Sequence, residues 1–144
     1  MAKTLYTAEA HVTGARDKGH GRTTDGALEV DLRVPAELGG DGGGTNPEQL
    51  FAVGFAACFE GALQAAARRA KVEAGDAAIE SKVSLSSNDN RGFDLSVELD
   101  ITLPSIQDPA QAKEIAEAAH QICPYSNATR GNIPVKLVVN GEAV

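Results

Sequence analysis

Hydrophobic and polar positions alternate without a break in "FDLSVELDITL", where Phe93, Leu95, Val97, Leu99, Ile101 and Leu103 fall on one side. A period of two is that of a strand with one face in a core. Upstream, "AIESKVSLSS" sets Ile79, Val83 and Leu85 on one face, and the turn-forming "NDNRG" between the two runs predicts an antiparallel hairpin. The same alternation predicts strands in "KTLYTAEAHVT", in "ALEVDLRV" (Leu28, Val30, Leu32, Val34) and in "NIPVKLVVNG" (Ile133, Val135, Leu137, Val139).

Two helices interrupt the strands. "TNPEQL" opens a long one: Asn46 is suited to cap it with Pro47 at the first helical position and Gln49 three residues on, while Thr45 with Glu48 fits the same capping box one residue earlier. That helix is predicted to run through "FAVGFAACFEGALQAAA" to about Ala70. In "DPAQAKEIAEAAHQIC", Asp108 caps, Pro109 follows, and Ile115, Ala119 and Ile122 share one face; the helix must end near Pro124. The order is strands, long helix, hairpin, helix, strand. This predicts an α+β fold, an antiparallel sheet with a long central helix and a second helix, and it lacks the βαβ alternation of a dinucleotide fold. With no internal repeat, residues 1–144 read as a single domain, and "GGDGGG" (Gly39 to Gly44) as a loop leading into the long helix.

Composition narrows the class. A chain of 144 residues can bury roughly 68–70% of its unfolded surface, so it can build a core without staples. Its 42% hydrophobic and 23% charged residues are those of a globular protein, and the longest apolar run is too short and too rich in Ala and Gly to span a bilayer. "MAKTLYTAEA" lacks the features of a secretory signal, which points to the cytoplasm. A net charge of −7 with no basic cluster beyond "ARRAK" argues against nucleic acid as a partner.

Chemistry then turns on two cysteines, Cys58 and Cys123. In the cytoplasm such a pair is seldom a permanent staple; disulfides there are transient and catalytic or redox-sensing. Cys58 is either inert filler or a nucleophile, and its position alone does not decide. His120 and Cys123 stand three apart, but without paired Cys-x-x-Cys or His-Glu-x-x-His spacing they do not make a metal motif. Ser126 is expected in a loop, with no nucleophile elbow around it and no local base. Thiol chemistry needs a fixed cation: a shift of two pKa units is about 2.7 kcal/mol, and arginine supplies it without losing its proton. Arg16, in "TGARDKGHG" between the first strands, is the candidate.

"GGTNPEQLF", "GFAACFEGAL", "HQICPYSNATRGNI" and the "TGARDKGHG" loop closely resemble the bacterial organic hydroperoxide resistance proteins of the osmotically-inducible-protein superfamily, over nearly the whole chain from Leu5 to Val139. The resemblance implies a thiol peroxidase that reduces alkyl or fatty-acid hydroperoxides to alcohols. It makes Cys58 the peroxidatic and Cys123 the resolving cysteine, with Arg16 and Glu48 the pair that activates Cys58. It implies reset by lipoyl dithiols carried on other proteins and no metal, haem or flavin. Leu50, Phe51 and Phe55 then either fill the core or line the path of an apolar peroxide.

Glu48 and Cys58 are ten residues apart, about 15 Å along an unbroken helix. Either the helix breaks, near Gly54, or Glu48 serves Cys58 from a second subunit. The second option predicts an intertwined homodimer in which each site joins Cys58 and Cys123 of one chain to Arg16 and Glu48 of the other. The glycine-flanked Arg16 loop is expected to swing away once Cys58 is oxidised. The competing expectations are a dimer that binds an apolar ligand with both thiols inert, and a metal-binding module.

Overall fold

The computed structural model describes residues 2–144. The described backbone gathers into two compact units, residues 2–50 and 51–144.

The first unit is a three-stranded antiparallel sheet: β1 (Ala10–Thr13), β2 (Gly19–Thr23) and β3 (Glu29–Leu32), in that order. The strand foreseen from Lys3 forms only from Ala10, and Leu5 and Tyr6 stand exposed at 90% and 79%. The "GHGRT" of β2 escapes a periodicity search because glycines, not apolar side chains, fill its inward positions: Gly19 and Gly21 are buried while His20 and Arg22 face out. A Cβ on Gly19 would sit 2.0 Å from the Ala15 carbonyl oxygen and 2.9 Å from Leu32 Cβ, so only glycine lets the strand close on its turn. After β3 come a single 3₁₀ turn, Ala36–Leu38, and the glycine loop. Thr45 then bonds back to β3, its N–H donating to the Asp31 carbonyl and its carbonyl accepting from Arg33 N–H (2.9 and 2.8 Å). That pairing fixes where the long helix starts.

The helix is α1 (Pro47–Ala70), 24 residues with no interruption at Gly54. Of the two capping options, Asn46 is realised: its side chain accepts from Gln49 N–H at 2.8 Å, a bond worth about 1 kcal/mol, while the Gln49 amide oxygen accepts from the Thr45 hydroxyl. α1 is long and apolar enough to cross a membrane by length and composition, a measure that core helices of soluble proteins also meet. Phe55, Phe59, Leu63, Ala66 and Ala67 form its core face.

In the second unit that face packs on a four-stranded sheet ordered β4 (Ala78–Ser87), β5 (Phe93–Thr102), β6 (Val135–Val139), β7 (Glu142–Ala143). The β4–β5 hairpin pairs Ala78 with Thr102 through Ser87 with Phe93, as the alternation predicts. Val97, Leu99, Ile101 and Leu103 are buried, but Phe93 is 69% exposed at the hairpin tip, where no core reaches it. The expectation of an antiparallel sheet needs correction at β6, which runs parallel to β5 (Val97 opposite Val135, Ile101 opposite Val139). The reason is the connection: α2 (Pro109–Ile122) and a third, unforeseen helix, α3 (Pro124–Thr129), carry the chain back across the sheet, and a helical crossover delivers a parallel strand. Asp108 caps α2, accepting from Ala110 N–H at 3.1 Å, and Ile115, Ala116 and Ala119 close the core.

Candidate active site

Arg16 sits on the turn between β1 and β2. Gly14 (φ 80°) and Ala15 (φ 58°) take left-handed backbone, and Lys18 N–H returns to the Gly14 carbonyl at 3.3 Å, so the loop is a tight turn that aims Arg16 outward. Glu48 stands in the first turn of α1, set there by the Thr45 pairing. The two expected partners meet: Arg16 Nη2 lies 2.5 Å from both Glu48 carboxylate oxygens. One nitrogen makes both contacts, so the remaining guanidinium donors, Nε and Nη1, have no hydrogen-bond partner among the described residues. Leu50 N–H closes the turn onto the Asn46 carbonyl at 3.1 Å, with the Leu50 side chain partly exposed.

Cys58, partly exposed on α1, and Cys123, fully buried, are both free thiols. Cys123 is the one residue between α2 and α3: its N–H closes α2 onto Ala119 O at 2.8 Å, its φ/ψ of −61°/122° is extended, and Pro124 starts α3. This break leaves the Cys123 thiol beside Cys58. The Tyr125 N–H, from the first turn of α3, also faces the Cys58 sulfur. Burial, foremost, pushes the Cys58 thiol above its ordinary pKa; the Tyr125 N–H pulls the other way, and the Cys123 thiol adds to the rise. The net direction is upward, and the fixed cation that thiol chemistry calls for is not among these groups.

Aromatic rings of α1 and α3 pack against one another. Tyr125 stacks on Phe51 (centroids 5.8 Å, 23°) and leans on Phe55 (5.6 Å, 59°). Phe55 is fully buried and belongs to the core; Phe51 and Tyr125 reach the surface. Gly54 gives Tyr125 its seat, since a Cβ there would stand 3.0 Å from the Tyr125 hydroxyl.

Three participants were not assigned a role in advance. Tyr125 acts through its backbone, which no side-chain pattern reports. Ser126 lies in α3 and fully buried, not in a loop without a base: its hydroxyl is 2.8 Å from His120 Nδ1. Arg130 reaches back to the His120 carbonyl (2.5 Å) and to Asn127 Oδ1 (2.7 Å). Burial, then the Arg130 charge, hold the His120 pKa below its ordinary value. Among the described residues no three His, Cys, Asp or Glu side chains converge as a metal site.

The site thus sets a partly exposed thiol beside a buried one at a helix break. The OsmC-like protein family model matches residues 39–138. The organic hydroperoxide resistance protein of Xanthomonas axonopodis pv. citri is 50% identical over 139 residues, covering 95% of this chain and 96% of its own length. In structure, the organic hydroperoxide resistance protein of Legionella pneumophila superposes with a TM-score of 0.90 at 48% identity, covering 95% of this chain and 98% of its own. That of Elizabethkingia anophelis, with thiocyanate bound, gives 0.90 at 46%, covering 96% and 98%. The chain belongs to the OsmC-like family and, within it, to the organic hydroperoxide resistance proteins.

Proposed function

We propose that the protein is a cysteine peroxidase for organic hydroperoxides, a reading supported by the placing of Cys123 beside Cys58. The Cys58 thiolate attacks one peroxide oxygen: an S–O bond forms, the O–O bond breaks, and the departing alkoxide takes a proton to leave as alcohol. Sulfur loses two electrons and becomes a sulfenic acid. Cys123, placed beside it, displaces the sulfenic oxygen, which leaves as water with the Cys123 proton, and a Cys58–Cys123 disulfide remains. A dithiol such as a protein-borne lipoyl group reduces it through a mixed disulfide and is itself oxidised to the cyclic disulfide.

Burial and the neighbouring thiol work against the thiolate, so the reading needs a cation. Arg16, fixed by Glu48 and with spare donors, supplies it from the second chain of a homodimer. Two observations support a dimer. Glu48 and Cys58 share one uninterrupted helix, ten residues apart. The side of α1 away from the core is apolar and uncovered, with Val53 71% exposed and a groove of about 480 Å³ along Ala52, Ala56, Ala57, Ala77 and Ile79. Phe51 and Leu50 line the approach for an alkyl chain, with Phe55 behind them as core. A reducing cytoplasm fits this reading, because a dithiol donor is at hand there.

Thiol titration during single-turnover oxidation tests the reading. One equivalent of an organic hydroperoxide is expected to remove both thiols and yield one alcohol; a protein that keeps both thiols and the peroxide is no peroxidase, and the dimer then serves as a binder of apolar ligands.

A further inference from the structure

Cys123 is a single non-helical residue joining two helices, and such a joint has little backbone bonding to hold its angle. Its N–H belongs to α2 and its carbonyl to α3, accepting from Asn127 N–H at 3.0 Å. What spans the joint is side chains. His120, in the last turn of α2, is tied to the buried Ser126 hydroxyl of α3 at 2.8 Å, and Arg130 ties the His120 carbonyl to the end of α3. The imidazole also packs on Phe59 (centroids 6.4 Å, 44°), the neighbour of Cys58 on α1. The three elements that carry Cys58, Cys123 and the Tyr125 N–H thus meet at one imidazole.

Resting on the peroxidase reading, we infer that His120 and Ser126 are positioning residues for disulfide closure: their hydrogen bond locks the α2–α3 joint so that the Cys123 thiol and the Tyr125 N–H stay on the Cys58 sulfur. The lock does not touch peroxide. Without it the Cys123 sulfur loses its aim, and a displacement of about 1 Å is enough to slow an aligned reaction roughly 100-fold. The buried hydroxyl, deprived of its partner, would also pull the joint toward another arrangement. Peroxide attack does not depend on the aim of the Cys123 sulfur and loses only the help of the Tyr125 N–H, so it is less affected than closure.

Ser126→Ala, His120→Leu and His120→Asn separate these effects, the last keeping an amide where Nδ1 stands. After one equivalent of an organic hydroperoxide, sulfenic acid is trapped with dimedone and disulfide closure is timed by thiol loss. Ser126→Ala and His120→Leu are expected to accumulate sulfenic acid and to close roughly 10- to 100-fold more slowly, and His120→Asn to close within a few-fold of the native rate. Circular dichroism checks the fold; if Ser126→Ala does not fold, the two His120 variants carry the comparison. Equal closure in His120→Leu and the native protein overturns the lock. Should the native protein not react with hydroperoxide at all, the peroxidase reading fails, while diamide, which oxidises thiol pairs directly, still reads closure in every variant.

Discussion

The Cys58 thiol lies beside the Cys123 thiol, close enough for each to weigh on the other's charge, although they stand 65 positions apart in the chain. A disulfide requires the two Cα atoms to lie within about 7 Å and the side chains to face one another. Cys58→Ser is expected to abolish hydroperoxide consumption. Cys123→Ser is expected to complete one attack and stop, with one thiol consumed per peroxide and a sulfenic acid that dimedone captures. Mass spectrometry of the two variants after a single equivalent of peroxide checks both.

Arg16 and Glu48 form an ion pair in which the carboxylate is the less exposed partner, 18% against 46%. So exposed a pair contributes little to stability, typically below about 1 kcal/mol. Its expected effect is on the thiol. Burial and Cys123 push Cys58 up, so Arg16→Ala is predicted to leave the thiol titrating above the ordinary value of about 8.5 and to move the pH–rate profile to the alkaline side. A relative displacement of two units lowers the rate about 100-fold at neutral pH. Glu48→Gln, which keeps the shape but frees the guanidinium, is predicted to fall between. Thiolate absorbance against pH, unchanged between Arg16→Ala and the native protein, would remove Arg16 from the activating role.

The hairpin, both long helices and their caps were legible because each has a local cause: alternation at Leu95 to Ile101, Asn46 before Pro47, Asp108 before Pro109. What was hidden depends on partners distant in sequence. β2 hides because Gly19 and Gly21 are buried where apolar side chains would show a period. The parallel register of β6 follows from where the helices return the chain. The site divides in the same way: cysteines, arginine and glutamate are conspicuous as residue types within recognisable motifs, whereas Tyr125 contributes a peptide N–H and His120 with Ser126 a contact across a joint.

Mixing variants tests the two-chain site. In a heterodimer of Cys58→Ser with Arg16→Ala, sites built from two chains include one with no substitution and one with both. Sites built from one chain are each damaged. Co-expression is therefore expected to restore one active site per dimer, half the native activity, from two parents that are each inactive or nearly so. Differently tagged chains isolate the heterodimer, and a preparation no more active than the parents' mean rules the arrangement out.

Burial holds the His120 pKa below its ordinary value of about 6.5, with the Arg130 charge adding to it. The unfolded chain then binds more protons than the folded one between the two pKa values, so stability rises with pH across that window. Lowering pH from 7 is expected to erode stability below about 6.5, levelling once the folded-state pKa is passed. His120→Asn, which cannot titrate, should remove that part of the slope. Urea unfolding midpoints measured for both proteins from pH 7.5 downward check the sign.

Phe51 and Phe55 are a turn apart on α1 and both touch Tyr125, yet they differ in exposure: Phe55 has none, Phe51 some. Truncating Phe55 opens a cavity in the core, so Phe55→Ala is expected to cost about 3–5 kcal/mol of stability. Phe51→Ala removes a surface ring beside the thiol pair and should cost far less. Its effect belongs to substrate choice, because an alkyl chain gains from an apolar wall about 0.8 kcal/mol per buried methylene whereas hydrogen peroxide gains nothing. Phe51→Ala is therefore predicted to lower kcat/KM for a long-chain hydroperoxide about tenfold while leaving hydrogen peroxide within a factor of two. Equal losses on both substrates would mean that the ring supports the thiols rather than the alkyl chain, and no loss on either would take Phe51 out of the substrate path.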